Sequence, residues 1–596
     1  MKDFFKYVLA TACGIIALGI VAGIFFMISF ASMIASGNAA PEVKDNSVLV
    51  LKLNGSVTEQ AEEGTPFDAL LGAADMEALG LDDIVGAIKE AKVNDNIKGI
   101  YIEGGIASFD TPATAQQIRD ALEDFKKSGK WIIAYADQYM QASYYVATAA
   151  DSIFLNQTGM IDFKGMGGKS YYMTGLYEKI GVRYQCTRVG KYKSAVESVT
   201  RKDMSENDRE QRLALYQGIW DNWVKAMAKS RKVTAEQLNQ LADDSIMVFA
   251  SVDDYKSAKL IDATMYPENI KKVIKNKLGL DADDDINQVS VKDLLAQKKD
   301  DDADAKVAVY YAYGEIVDEL SSNFSTSHNI VGSKMVSDLN DLADDDDVKA
   351  VVIRVNSPGG SAVASEQIWH AIKLLKEKKP VVVSMGGYAA SGGYMISAPA
   401  NYIFAEPTTI TGSIGIFGLI PNASELVTDK LGVTWDGVQT NKHTDYETNL
   451  VFSKNNEEEL RFMQAYVDRG YDTFLSIVAE GRKMKKEEVH EIAQGRVWLA
   501  TDALPIKLVD KLGSLDDAVK KAAELAKIED YGISSYPGKS SWLDALLSAA
   551  SEKKGTYLDE QLREALGEMY EPIMEMRKDM QRNRLQARLP FSTTIR

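Results

Sequence analysis

Residues 381–397 read VVVSMGGYAASGGYMIS, and the fold of the surrounding chain turns on this stretch. A β-branched run, Val381–Ser384, gives way to a glycine-rich turn. The turn delivers Ser391, which opens a segment able to coil into a helix. A serine at such a strand-to-helix corner is expected to be exposed, to face a helix N-terminus and to have backbone N–H groups beside it. A nucleophile that forms an oxyanion needs all three.

The stretch has a twin. Residues 131–168 align without gaps on 381–418 at an offset of 250, and Tyr144/Tyr394, Ala150/Ala400, Ile153/Ile403, Phe154/Phe404, Thr158/Thr408, Gly165/Gly415 and Gly168/Gly418 coincide. Flanking segments agree at an offset of 251: NDNIKGIYIEGG (94–105) with DDDVKAVVIRVN (345–356), and EKIGV (178–182) with DKLGV (429–433). Two homologous domains follow, at about 47–280 and 306–530. An acidic, lysine-rich exposed linker (281–305) joins them. Strand-like runs (97–103, 131–135, 307–312, 350–355, 381–384) alternate with helical patterns (113–128, 361–378). This predicts α/β architecture with mainly parallel strands. Charged helical patterns at 202–231 and 455–482 predict surface or interface helices. A helical tail is expected within 540–596.

Bulk properties narrow the function. The chain has 596 residues and a net charge of −18, which argues against nucleic-acid or anionic-lipid binding by the soluble part. Two cysteines and four scattered histidines make a disulfide framework or a metal site improbable, and no cofactor is expected. Tyr7–Ala35 is 29 residues without a charge, about 44 Å as a helix. A bilayer core of about 30 Å needs roughly 20 residues, so residues 1–40 read as a transmembrane anchor. NAAP at 38–41 faintly resembles a cleavage site. Lys2 and Lys6 precede the span and Glu42 and Asp45 follow it. The N-terminus is thus expected in the cytoplasm and the remainder outside.

The copies differ where chemistry would sit. Gln141 takes the place of Ser391 in the first copy, and the glycines around it are gone. CTRVGKYKSAVES (186–198) offers Lys193, where the second copy has Thr444. A buried lysine can act as general base for serine when desolvation lowers its pKa, and the Ser–Lys pair is an alternative to the histidine triad. Lys191, two residues away, would share a strand face with Lys193, so the pattern leaves both open. No histidine stands out as a partner for Ser391. In RVNSPGGSAVAS (354–365) a strand ends in Ser-Pro-Gly-Gly before a helix. Gly359 or Gly360 could donate one N–H to an oxyanion and Gly392 the other. The glycines lack a Walker lysine and any GxGxxG, which speaks against phosphate binding.

VNSPGGS (355–361), AASGGYMIS (389–397), TGSIGIFG (411–418), YKSAVE (192–197) and GRVWLATDALPIKLVDKLG (495–513) resemble the motifs of signal peptide peptidase A, in its long, duplicated form. The resemblance implies two tandem Clp protease/crotonase-like spiral domains behind one transmembrane helix. It implies Ser391 as nucleophile, Lys193 rather than Lys191 as base, Gly359 and Gly392 as the oxyanion hole and Ser413 as an orienting group for the lysine. It further implies a serine endopeptidase of the bacterial inner membrane, facing the periplasm, that degrades remnant signal peptides and assembles as a homo-oligomer, with a tetramer for the long form. A crotonase-like acyl-CoA enzyme would share the fold and the oxyanion hole, but would need neither an anchor nor the serine/lysine split.

Overall fold

A computed structural model describes residues 42–61, 79–297, 303–319, 328–538 and the strand Gln586–Arg588. The apolar run Tyr7–Ala35 and the expected tail helix lie outside these residues. Among the described residues no helix is long and apolar enough to cross a membrane.

Each copy is built on a parallel sheet. In the first, the strands run in the order Gln288–Ser290, Ser47–Lys52, Ile97–Glu103, Trp131–Tyr139, Ser152–Ile161 and Ala263–Thr264. In the second, Gly532–Tyr536, Lys306–Tyr313, Val348–Ser357, Val381–Ala390 and Ile410–Gly412 are parallel neighbours, and Val497–Leu499 closes the edge antiparallel. Val381–Ala390 is buried at every position, as a near-continuous apolar run covered on both faces must be. Helix Ala362–Lys378 packs on one face through Ile368, Ile372 and Leu375. Helix Leu515–Ala526 covers the other through Ala518, Val519 and Ala522. The two long helices are Glu206–Arg231 and Glu457–Arg482, close to the expected bounds.

The segment expected to be an exposed linker departs from that reading. Gln288–Ser290 adds a parallel strand to Ser47–Lys52, and helix Val291–Leu295 buries Leu294 against the first core. The apolar Val289 and Leu294, set among acidic and basic neighbours, are the reason: two side chains suffice to pin a short element to a sheet edge.

A third, mixed sheet joins the copies. Arg183–Arg188 of the first copy pairs antiparallel with Phe417–Asn422 of the second, from Phe417↔Arg188 to Asn422↔Arg183. The chain leaving this first-copy strand leads to Lys193, so the joint is also the delivery route for the proposed base.

Candidate active site

Strand Val381–Ala390 ends at Ser391, and helix Gly392–Ser397 begins on the next residue. Ser391 has φ +56° and ψ −114°, a backbone conformation that costs a non-glycine residue on the order of 1–3 kcal/mol and that surrounding structure must hold. Its N–H donates to the Gly412 carbonyl (2.8 Å), which fixes the corner from the neighbouring strand. The strand-to-helix corner at Ser391 is therefore where the sequence placed it. Its exposure is not: Ser391 is fully buried. Lys193 of the first copy bonds to its hydroxyl, and the end of strand Val348–Ser357 packs on the helix that follows it. That packing is tight, because a Cβ on Gly393 would lie 2.7 Å from the Ser357 carbonyl oxygen.

Lys193 reaches this corner within the same chain. Its Nζ lies 2.8 Å from Ser391 Oγ, 3.1 Å from the Ser413 carbonyl oxygen and 2.9 Å from Ser413 Oγ. Lys193, Ser391 and Ser413 are all fully buried. Lys191 does not share a strand face with Lys193. The chain turns at Gly190, so Lys191 lies exposed with its ammonium 5.1 Å from the centre of the Tyr192 ring.

The lysine loop is clamped from both copies. Arg188 Nη1 donates to the Lys193 carbonyl (3.0 Å), and Gln211 Nε2 donates to the Tyr192 carbonyl (3.0 Å). The Tyr192 N–H donates to the Gln494 carbonyl (3.0 Å). Gly495, at φ +79°, presses directly on the lysine backbone: a Cβ there would lie 2.6 Å from Lys193 Cβ and 2.7 Å from its nitrogen. Sequence reading missed these supports. Gly495 opens the 495–513 motif, so the resemblance flagged the segment without its role.

The expected oxyanion donors lie in the segments next to Ser391. Gly359 has φ +96° and donates its N–H to Ser357 Oγ (3.2 Å). Gly360 is taken up by the sheet, with its Cα position backed against the Ile316 carbonyl. Gly392 opens the helix after Ser391, where N–H groups have no intrahelical acceptor. Beside them, Gln586–Arg588 lies antiparallel on Gly359–Ser361, meets Phe417 and touches helix Gly392–Ser397. An extended chain therefore fits the slot between Gly359–Ser361 and Phe417–Asn422.

The equivalent place in the first copy is filled. Gln141 is buried, accepts the N–H groups of Lys164 (2.9 Å) and Gly165 (3.1 Å), and donates to the Gly165 carbonyl (3.0 Å). Thr444, the counterpart of Lys193, is exposed.

A fold with a buried serine–lysine contact at a strand-to-helix corner defines a candidate acyl-transfer site, and comparison with known proteins agrees. The profile of Peptidase family S49 matches residues 124–281 and 373–529, one stretch in each copy, and a Clp protease profile matches 316–409. The chain is 36% identical over 532 residues to Protease 4 of Salmonella typhi, covering 87% of this chain and 84% of that one. It is 34% identical over 592 residues to Protease 4 of Haemophilus influenzae, covering 95% and 93%. It is 28% identical over 493 residues to the chloroplastic serine protease SPPA of Arabidopsis thaliana, covering 82% and 70%. The chain belongs to peptidase family S49 and is a serine-type peptidase with a duplicated, Clp protease-like α/β fold.

Proposed function

We propose that the chain is a membrane-anchored endopeptidase that uses Ser391 and Lys193 as a catalytic dyad to degrade remnant signal peptides. The observation that carries the reading is the 2.8 Å contact between Lys193 Nζ and Ser391 Oγ, in a site with no exposure to water. A neutral amine has two N–H groups and one lone pair. Ser413 offers two acceptors, its carbonyl and its hydroxyl, and these take the two N–H groups. The lone pair is then left facing the Ser391 hydroxyl. Burial supports the neutral form, because desolvation disfavours an ammonium.

In this mechanism Lys193 takes the Ser391 proton as Oγ attacks the peptide carbonyl carbon. The N–H groups of Gly359 and Gly392 hold the developing oxyanion, which displaces the Ser357 hydroxyl from Gly359. Lys193 returns the proton to the leaving amine, and an ester remains on Ser391. Water, deprotonated by Lys193, then releases the acyl group. The step needs no metal or cofactor.

The strand slot supports the substrate class. A peptide held mainly by backbone pairing along Gly359–Ser361 is bound with little demand on side-chain sequence. This suits signal peptides, which share an apolar character rather than a sequence. The Tyr7–Ala35 run would anchor the enzyme beside them, with the catalytic part outside the cytoplasm. A synthetic signal peptide in detergent is expected to be cut within its apolar region, as read by mass spectrometry, and to stay intact with Ser391→Ala. An enzyme that hydrolyses a short peptide ester but leaves this peptide whole would exclude the substrate assignment.

The repeat supports a homo-oligomer, a tetramer by the family resemblance. The joint inside the chain uses 183–188 of the first copy and 417–422 of the second. The counterparts, 434–439 and 167–172, form no strand, and residues 431–440 are exposed throughout, Trp435 and Val438 included. Gly181 backs onto Leu426 in the joint, whereas its counterpart Gly432 has no heavy atom within 4 Å of a built Cβ. Two chains meeting head to tail would repeat the same joint, with Gln141 and Thr444 where the dyad stands. A heterologous contact of this kind closes into a ring when the rotation allows. Val438→Glu is expected to reduce the mass measured by light scattering to that of one chain. An unchanged mass would place the contact elsewhere.

A further inference from the structure

Asn356 stands one residue before Ser357 and three before Gly359, and it is 6% exposed. The strands on either side of it, Val348–Ser357 and Val381–Ala390, pair in register up to Val355↔Met385. The next pair is Ser357↔Ala389, so the nucleophile strand carries two extra residues over this interval. A bulge of this kind leaves backbone groups without their ladder partners. Here the Asn356 side chain supplies the missing acceptor: its Oδ1 takes the N–H of Tyr388 (3.0 Å), three residues before Ser391. One amide group thus bridges the loop that carries Gly359 and the strand that carries the nucleophile.

The other end of that amide is held by the first copy. Asn356 Nδ2 donates to Asp110 Oδ2 (2.9 Å) and to Glu59 Oε2 (3.2 Å). Glu59 is buried and accepts from Arg354 Nε (2.5 Å), and Arg354 donates onward to Ser384 Oγ (3.0 Å) and to Gln117 Oε1 (2.7 Å). Asp110 also accepts from the Thr114 hydroxyl. The bulge itself is seated on these groups. A Cβ on Gly386 would lie 3.2 Å from Arg354 Nη2, Asn356 Cβ and Glu59 Oε2, and one on Gly387 would collide with Thr111. Three acceptors and donors on one asparagine, all on different segments, fix its orientation: the carbonyl must face Tyr388 and the NH₂ must face the two carboxylates.

The duplication supplies an internal comparison. In the first copy the counterpart of Asn356 is Gly105 and the counterpart of Arg354 is Glu103, so that copy has no side chain for this bridge. It is also the copy without the serine. The bridge exists only where an oxyanion loop and a nucleophile must be kept in step.

We propose that Asn356 is a positioning residue for peptide hydrolysis, tying the Gly359 loop to the Ser391 strand, and that Asp110 and Glu59 of the first copy hold it in its working orientation. The proposal rests on the serine–lysine reading above. It gives the first copy a second role beside the supply of the lysine: its acids brace the oxyanion hole of the second copy. Asn356 touches no substrate; it acts through the relative placement of the Gly359 and Gly392 N–H groups. A displacement of about 1 Å in such groups costs on the order of 10²-fold in rate.

The test is a charge-swapped pair, assayed at pH 8 on a short peptide ester. Asn356→Asp keeps an acceptor for the Tyr388 N–H but sets a carboxylate against Asp110 and Glu59. Its kcat is expected to fall about 10²-fold with KM within threefold, and its affinity for a peptide boronate, which engages the oxyanion donors, to fall in parallel. Asn356→Asp with Asp110→Asn restores the donor–acceptor pair with the roles exchanged, and kcat is expected to recover at least tenfold. If Asn356→Asp does not fold, Asn356→Ala is read by the same kcat, KM and boronate measurements, with a kcat loss of at least about thirtyfold expected. Loss of kcat below threefold in the folded single variant, an equal change in KM, or a double variant no better than the single one each overturns the proposal. Ser391→Ala, run alongside, separates this outcome from failure of the dyad: activity retained there condemns the nucleophile assignment, whatever Asn356 does.

Discussion

Lys193→Met is expected to lower kcat by at least about 10³-fold while leaving the fold intact. Methionine keeps the unbranched apolar stem that fills the channel between Gly415 and Gly495, and it removes only the amine. Without the amine the proposed base for Ser391 is gone. Residual rate would come from the oxyanion hole and binding alone, which in serine peptidases still accelerate by about 10³–10⁴ over water. Two controls give this prediction its edge. Melting temperature is expected to stay close to wild type, because a buried amine replaced by a thioether loses hydrogen bonds but also loses its desolvation cost. The pH–rate profile is expected to lose its limb: wild-type activity should rise with pH as the base gives up its proton, and the variant should show no such rise. Lys191→Met removes the neighbouring cation, which lies exposed beside Tyr192. It is expected to leave that limb in place.

Gly495→Ala is the second large effect, and it acts on the lysine from outside the dyad. The added Cβ would sit 2.6 Å from Lys193 Cβ and 2.7 Å from its nitrogen, distances at which backbone must move. The residue also holds φ +79°, which alanine adopts only at a cost. The loop carrying Lys193 is pinned on its far side by Arg188 and Gln211, so it has little room to retreat. We expect Nζ to be displaced from both Ser391 and Ser413, with kcat down about 10²-fold and KM nearly unchanged. A crystal structure of the variant should show Nζ beyond hydrogen-bond distance of Ser391 Oγ. A variant with full activity would mean that Lys193 tolerates motion, and the tight clamp would have no catalytic meaning.

The parts of this site were unequally legible in the sequence. Ser391 could be read locally, because a β-branched run followed by Ala-Ala-Ser-Gly-Gly encodes its own corner. The duplication could be read because Gly165/Gly415 and the tyrosine and phenylalanine pairs survive at a constant offset. Lys193 could not be separated from Lys191 by pattern, since the turn at Gly190, which sends one outward and one inward, is set by contact with Gln494 and Gly495 some 300 residues away. The same holds for Arg183–Arg188 against Phe417–Asn422: neither segment alone says which partner strand it will find. The burial of Ser391 is a tertiary outcome as well, produced by loops that the corner motif does not contain. Gly359–Ser361 read as a turn, yet Gly360 pairs with Ile316 as a strand, because three residues with almost no side chain can lie flat against a neighbouring backbone.

The central claim is that Ser391 is a nucleophile activated by Lys193 of the same chain. The most direct measurement is covalent labelling by a serine-directed acylating probe, followed by intact mass and peptide mapping, in wild type, Ser391→Ala and Lys193→Ala. The account predicts one adduct per chain on Ser391 in wild type, none in Ser391→Ala, and labelling slowed by orders of magnitude in Lys193→Ala. Equal labelling of all three proteins would contradict it.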